Sequence, residues 1–151
     1  MSASIESIFF DLGDTLVKGS STSTWLPGAK ALLSSLKSKG FRLGILSNTG
    51  MLAPRSAILG ILPADFSLAL FEPGLVIFSS EVGVEKPKPA IFNLAVARSG
   101  RAADTCLYVS ESIVETMVSQ NVGMISARIR TGSDDLAGLV ATLKDYDLAI
   151  A

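Results

Sequence analysis

Four polar side chains of different chemical types lie at or near the ends of predicted buried strands. Asp11 and Ser47 each end an apolar run, Glu111 follows a third such run, and Lys86 lies in a proline-rich segment before a predicted helix. The carboxyl ends of parallel strands meet at one edge of an open α/β sheet, where such folds place their sites. A carboxylate nucleophile, a hydroxyl, a cation and a second acid that holds Mg²⁺ are what phosphoryl transfer through an aspartyl phosphate requires.

Apolar periodicity predicts the elements that must position these side chains. Strands alternate with helices of about 10 to 15 residues, which is typical of βαβ units and of a parallel sheet covered on both faces. The predicted strands span residues 5–11, 41–47, 75–79, 105–109 and 124–129. The predicted helices span residues 27–40, 54–62, 89–99, 112–121 and 134–143, the last capped by Asp134 or Asp135. The 151 residues are expected to form one domain.

The composition excludes several kinds of catalytic and binding site. The chain has no histidine, which excludes Ser-His and Cys-His nucleophilic pairs and zinc sites that need imidazole. Its one cysteine, Cys106, lies in an apolar run and is expected to be a buried thiol in a reducing compartment. The net charge of −1 offers no basic surface, and the longer apolar stretches are too interrupted to span a bilayer. We therefore expect a cytoplasmic protein with neither a nucleic-acid nor a membrane partner.

The motifs around these side chains resemble those of the haloacid dehalogenase-like (HAD) hydrolases, in the family's order and over nearly the whole chain. Asp11 lies in the run Phe-Phe-Asp-Leu-Gly-Asp-Thr, Ser47 in Gly-Ile-Leu-Ser-Asn, and Lys86 in Val-Glu-Lys-Pro-Lys-Pro. The fourth motif is represented by Ser110-Glu111-Ser112 with Glu115, followed by Val-Gly-Met. All four motifs together carry the resemblance, since each alone is weak.

The resemblance implies a HAD-like Rossmannoid three-layer α/β/α sandwich with a mainly parallel sheet and no separate cap domain. It also implies Mg²⁺ as cofactor and a phosphorylated substrate, either a small molecule or a macromolecule. A site without a cap of its own could be completed by a second copy, so a homo-oligomer is a further expectation. The implied roles are Asp11 as nucleophile, Ser47, Asn48 and Lys86 on the phosphate, and Asp11, the Gly13 backbone carbonyl, Glu111 and Glu115 on the metal.

The first motif departs from the family pattern in the order of two residues. Gly13 and Asp14 stand where the family usually has Asp-Gly, and the family's acid at the first of these positions protonates the leaving oxygen and activates water. Gly13 can do neither, although its carbonyl can still bind metal. Asp14 is the candidate substitute. In the fourth motif Ser110 and Glu111 replace the usual Gly-Asp.

Two hypotheses follow from these departures. The first is a Mg²⁺-dependent phosphatase-like hydrolase whose second step is slow. The second is a catalytically weak or inactive binding or regulatory protein that keeps the fold. A third possibility, carbon–halogen hydrolysis, tolerates a missing second acid. It normally needs a cap that forms an apolar substrate pocket, and no such cap is expected here. A phosphorylation-receiver domain carries its acceptor aspartate on a later strand, whereas Asp11 follows the first.

Overall fold

The computed structural model describes residues 4–19, 22–50, 54–131 and 133–139. Its strands, in chain order, are β1 (Ser7–Phe10), β2 (Val17–Lys18), β3 (Thr24–Trp25), β4 (Arg42–Ser47), β5 (Val76–Phe78), β6 (Cys106–Ser110) and β7 (Ile125–Arg128). Its α-helices are α1 (Ala29–Ser38), α2 (Arg55–Gly60), α3 (Ser79–Val82), α4 (Pro89–Ser99) and α5 (Ile113–Asn121).

Five of the strands form one parallel sheet in the order β5-β4-β1-β6-β7. β1 therefore lies at the centre, and all four of its residues are buried. The order reverses next to β1, since the chain first adds β4 and β5 on one side and then β6 and β7 on the other. A crevice forms at the carboxyl ends of the strands where such a reversal occurs, so the topology places the site beside the end of β1.

The two faces of the sheet carry separate apolar cores, because successive side chains of a strand point to opposite faces. Ile8 and Phe10 of β1 pack on the face covered by α1 and α2, with Leu33 and Ile58. Phe9 packs on the opposite face, in the cluster that α4 and the apolar residues of α5 complete. The structure is therefore the predicted three-layer α/β/α sandwich.

The predicted strands and the first four predicted helices are present, with their ends shifted by a few residues. α1 begins at Ala29, after Gly28 in a left-handed conformation, rather than at Pro27. Residues 140–143 of the last predicted helix lie outside the described residues, and its residues 134–138 form a bend and turns instead of the predicted helix. Within them Asp135 does not cap a helix: its carboxylate instead accepts bonds from the backbone and guanidinium of Arg130.

The connections between the first three motifs contain no cap domain in the part of the chain that the structure describes. After β1 the chain makes the short antiparallel hairpin β2–β3, which the sequence pattern did not predict. Between β4 and Lys86 it makes α2, two turns of 3₁₀ helix, β5 and α3. Cys106 is a buried free thiol, as expected. None of the described helices is long and apolar enough to cross a membrane.

One glycine of the central sheet is required by close packing. A Cβ atom at Gly44 would lie 2.6 Å from the Leu75 carbonyl oxygen and 2.7 Å from a ring carbon of Phe9. We predict that Gly44→Ala lowers the free energy of unfolding by about 1 to 3 kcal/mol, the usual cost of overpacking a core. Urea unfolding followed by circular dichroism measures the change.

Gly60 provides the matched control, because it lies in α2 and a Cβ atom there would meet nothing within 4 Å. Gly60→Ala is expected to leave stability unchanged or to raise it by up to about 1 kcal/mol. Equal effects of the two substitutions would contradict the packing argument.

Candidate active site

A buried ion pair joins the first and third motifs. Asp11 follows β1 directly, and its Oδ1 atom lies 2.8 Å from Lys86 Nζ. Only 10% of the Asp11 side chain and 2% of the Lys86 side chain are exposed. The structure therefore brings together the two residues that the sequence predicts to be the nucleophile and the phosphate-binding cation.

The Asp11 carboxylate has one strongly held oxygen and one weakly held oxygen. Oδ1 also accepts a 2.9 Å bond from the Leu12 backbone N–H, whereas Oδ2 receives only 3.4 Å contacts from the hydroxyls of Thr15 and Ser110. Burial raises the pKa of Asp11 above its ordinary value, and the charge of Lys86 opposes part of that rise. Oδ2 is thus the oxygen most available for a new bond.

Asn48 fixes the backbone of Lys86. Its side-chain Oδ1 accepts a 2.8 Å bond from the Lys86 N–H, and its Nδ2 donates a 2.9 Å bond to the Lys86 carbonyl. These two bonds link the loop after β4 to the loop before α4 and aim the lysine at Asp11. The structure therefore shows a positioning contact of Asn48, and its predicted phosphate contact stays a prediction.

Lys86 donates to two further groups, one of which the sequence analysis missed. Its ammonium lies 3.0 Å from the Glu115 carboxylate and 3.0 Å from the Tyr108 hydroxyl. Tyr108 donates in turn to Glu115 at 2.5 Å, and burial raises its pKa well above the ordinary value. The sequence did contain a signal for Tyr108: it is a polar side chain in the largely apolar strand β6, two residues before Ser110 and therefore on the same side of the strand.

The two glutamates of the fourth motif have different surroundings. Glu115, in the first turn of α5, is held by Lys86, Tyr108 and a 3.3 Å contact from the Ser110 hydroxyl. Glu111 is held through its backbone: its N–H donates to Thr15 Oγ1 at 3.2 Å and its carbonyl accepts from Arg128 Nε at 3.1 Å. Partial burial, and then the negative charges of the surrounding carboxylates, raise the pKa of Glu111.

Gly13 and Asp14 are exposed beside the site, whereas Ser47 is buried. Ser47 ends β4 and lines a cavity together with Gly13. A Cβ atom at Gly13 would meet nothing within 4 Å, and its backbone does not adopt positive φ. Asp14 is exposed and has a φ of 62°, the left-handed conformation that glycine adopts most easily. The local backbone would therefore suit a glycine at position 14 and a side chain at position 13, which is the reverse of the order in this sequence.

Comparison with known proteins assigns the family. A model of the haloacid dehalogenase-like hydrolases matches residues 5–123. The chain belongs to this family. A glyceraldehyde 3-phosphate phosphatase of Pyrococcus abyssi is 32% identical to this HAD-like chain over 108 residues, 71% of this chain and 43% of that protein. A phosphoglycolate phosphatase of Yersinia pseudotuberculosis is 32% identical over 99 residues, 64% of this chain and 39% of that protein. The chain spans less than half the length of these relatives.

Solved HAD structures share the fold. A HAD-like hydrolase of Porphyromonas gingivalis superposes with a TM-score of 0.73 at 17% identity, over 94% of this chain and 99% of that one. A HAD family enzyme of Bacteroides thetaiotaomicron, in complex with magnesium and inorganic phosphate, superposes with a TM-score of 0.71 at 15% identity, over 86% of this chain and 96% of that one. At these identities the likeness supports the fold alone.

The oxygen donors at the site suit a magnesium ion that keeps several water ligands. Among the described residues, no three acidic or cysteine side chains form a group that could hold a metal by itself. Mg²⁺ is usually bound through one or two carboxylates and water, which the Asp11 and Glu111 carboxylates and the Gly13 carbonyl can supply. Burial, and then the negative charges of neighbouring carboxylates, raise the pKa of Glu111, and a bound cation would oppose that rise. Glu115, also a predicted ligand, has its carboxylate bound to Lys86, as Asp11 does, and its metal contact stays a prediction.

The buried ion pair generates a stability prediction. Lys86→Met should lower the free energy of unfolding at neutral pH by about 3 to 5 kcal/mol, because it leaves two carboxylates without their cation. The control is Lys88→Met, two residues away and exposed, which should change stability by less than about 0.5 kcal/mol. If the two variants unfold at the same urea concentration, Lys86 does not hold the site together.

Proposed function

We propose that this chain is a magnesium-dependent phosphomonoesterase that works through an aspartyl phosphate on Asp11. The observation that carries the proposal is the buried contact between Asp11 and Lys86, since a carboxylate that is to attack a phosphate dianion needs a cation beside it. The two relatives named as phosphatases support the reaction class.

In the proposed first step an Asp11 oxygen forms a bond to phosphorus as the bond from phosphorus to the leaving oxygen breaks. The leaving oxygen takes its proton from solvent water, because Gly13 has none to give. Lys86 and the Ser47 hydroxyl bind the phosphate oxygens. Asn48 holds the backbone of Lys86, and Glu115 holds its ammonium. A magnesium ion on Asp11, Glu111 and the Gly13 carbonyl would supply further neutralisation of phosphate charge.

In the second step water attacks phosphorus, the Asp11 carboxylate leaves, and inorganic phosphate is released. A base near the water accelerates this step, typically by about 10² to 10⁴. Gly13 has no side chain to provide it, so the phosphoenzyme is expected to form faster than it is cleared. The missing base also favours a second candidate function, a phosphate-responsive regulatory protein whose signal is the phosphorylated or phosphate-bound state.

The open space around Gly13 supports a test in which an acid is introduced at this position. Gly13→Asp enters open space with ordinary backbone angles, and we predict that it raises hydrolysis of an aryl phosphate by about 10²-fold. Gly13→Asn is the matched control of nearly equal shape and no acid, and it should leave the rate low. Asp11→Asn should abolish turnover. Steady-state phosphate release, with Mg²⁺ and with a chelator, measures all three.

Two results would contradict this account of the second step. One is a wild type of ordinary activity in which Asp14→Asn alone abolishes turnover and the protein stays folded, since Asp14 would then be the acid–base group. The other is no metal-dependent activity in either the wild type or Gly13→Asp, which would favour the regulatory function.

A further inference from the structure

A cavity of about 160 Å³ adjoins the predicted phosphate position. It lies between the loop after β1, the end of β4 and helix α2. Gly13 and the end of β4 at Ser47 line its side nearest the nucleophile. The side formed by α2 and the residues that follow it is lined by Ile58, Ile61 and Leu62. A group attached to a phosphate at Ser47 therefore has an apolar space beside it.

The described lining carries no charged side chain. Besides the residues already named it consists of small or aliphatic residues and neutral polar ones: Leu12, Val17, Gly19, Ser23, Asn48 and Thr49. A carboxylate or a second phosphate in this space would lose its hydration without gaining a cation, which is strongly unfavourable. The cavity therefore selects against charged groups.

The walls of the cavity are held together by specific bonds. The backbone N–H and the hydroxyl of Ser23 donate to the Ile61 carbonyl at 2.8 and 2.7 Å, which ties the β2–β3 hairpin to the end of α2. At the base of the hairpin, the Trp25 ring stacks on Phe66 at 5.4 Å and its Nε1–H donates to Asp65 at 2.7 Å. These contacts hold the cavity in shape before a ligand binds, so binding does not carry the entropy cost of ordering its walls.

We propose that this cavity binds the leaving group of the substrate and selects phosphomonoesters whose leaving group is small, uncharged and apolar, up to about the size of a benzene ring. The size follows from the volume, because an engineered apolar cavity of about 150 Å³ binds benzene. This inference rests on the proposed phosphatase function and names its substrate class.

The kinetic test compares benzyl phosphate, ethyl phosphate and 2-phosphoglycolate with the wild-type chain. All three release an alkoxide of similar basicity, so differences in kcat/KM report on binding of the leaving group. The proposal expects benzyl phosphate to exceed both others by about ten-fold or more. Equal values, or a preference for 2-phosphoglycolate, would overturn it while leaving a phosphatase function intact.

A binding test without turnover separates the two proposals. Phenylphosphonate and methylphosphonate are titrated into the Mg²⁺-loaded wild type, and the isoleucine methyl resonances are followed by NMR. Phenylphosphonate should bind more tightly and shift Ile58 and Ile61, with Ile91 on the opposite face of the sheet unchanged. If phenylphosphonate binds in this way but no phosphomonoester is hydrolysed, the assignment of the cavity as a binding site stands and the phosphatase function is rejected. Equal binding of the two phosphonates would reject the cavity.

Two conservative variants locate the effect. Ile58→Val removes one methylene from the cavity lining and should weaken phenylphosphonate binding by about four-fold, the contribution of one buried methylene, without changing methylphosphonate binding. Ile91→Val, a matched change in the other core cluster, should affect neither ligand. A loss of phenylphosphonate binding in both variants alike would point to general destabilisation and overturn the assignment to this cavity.

Discussion

Charge balance at the buried end of β1 is the constraint on which the rest of the site depends. Lys86 is the cation that reaches Asp11 and Glu115, and all three side chains are largely removed from water. Buried charges are tolerated only when they are paired and hydrogen-bonded. The Asn48 amide and the Tyr108 hydroxyl complete this pairing, the first by fixing the lysine backbone and the second by bridging the lysine and the glutamate.

The same balance explains why the site suits chemistry on a phosphate. Glu111 lies next to the cluster with its pKa raised by burial and by neighbouring carboxylates, so the site holds more negative than positive groups. A divalent cation would correct that excess and bring a phosphate with it. The exchange of Gly13 and Asp14 leaves this arrangement intact, because it alters the loop beyond Asp11. In the proposed mechanism its effect falls on proton transfer, for which the position of the acid matters more than its charge.

That Asp11 and Lys86 lie at the same edge of the sheet could be predicted from the sequence, because a strand end and a proline-flanked segment constrain where these side chains lie. The parallel sheet followed from the alternation of apolar runs. Tyr108 could not be found in this way, since a tyrosine in an apolar strand is usually only core. The role of Asn48 depends on a contact between residues 38 positions apart in the chain, which periodicity does not reveal. The β2–β3 hairpin was missed because each strand has only two residues.

The central claim is that Asp11 becomes phosphorylated with the help of Lys86. Mass spectrometry of the protein, acid-quenched after incubation with acetyl phosphate and Mg²⁺, tests it most directly. The account predicts one added phosphoryl group on the peptide that contains Asp11, accumulating because the second step is slow. The group should be absent from Asp11→Asn and much reduced in a folded preparation of Lys86→Met. A wild type that remains unmodified, or that carries the phosphoryl group on another residue, would contradict the account.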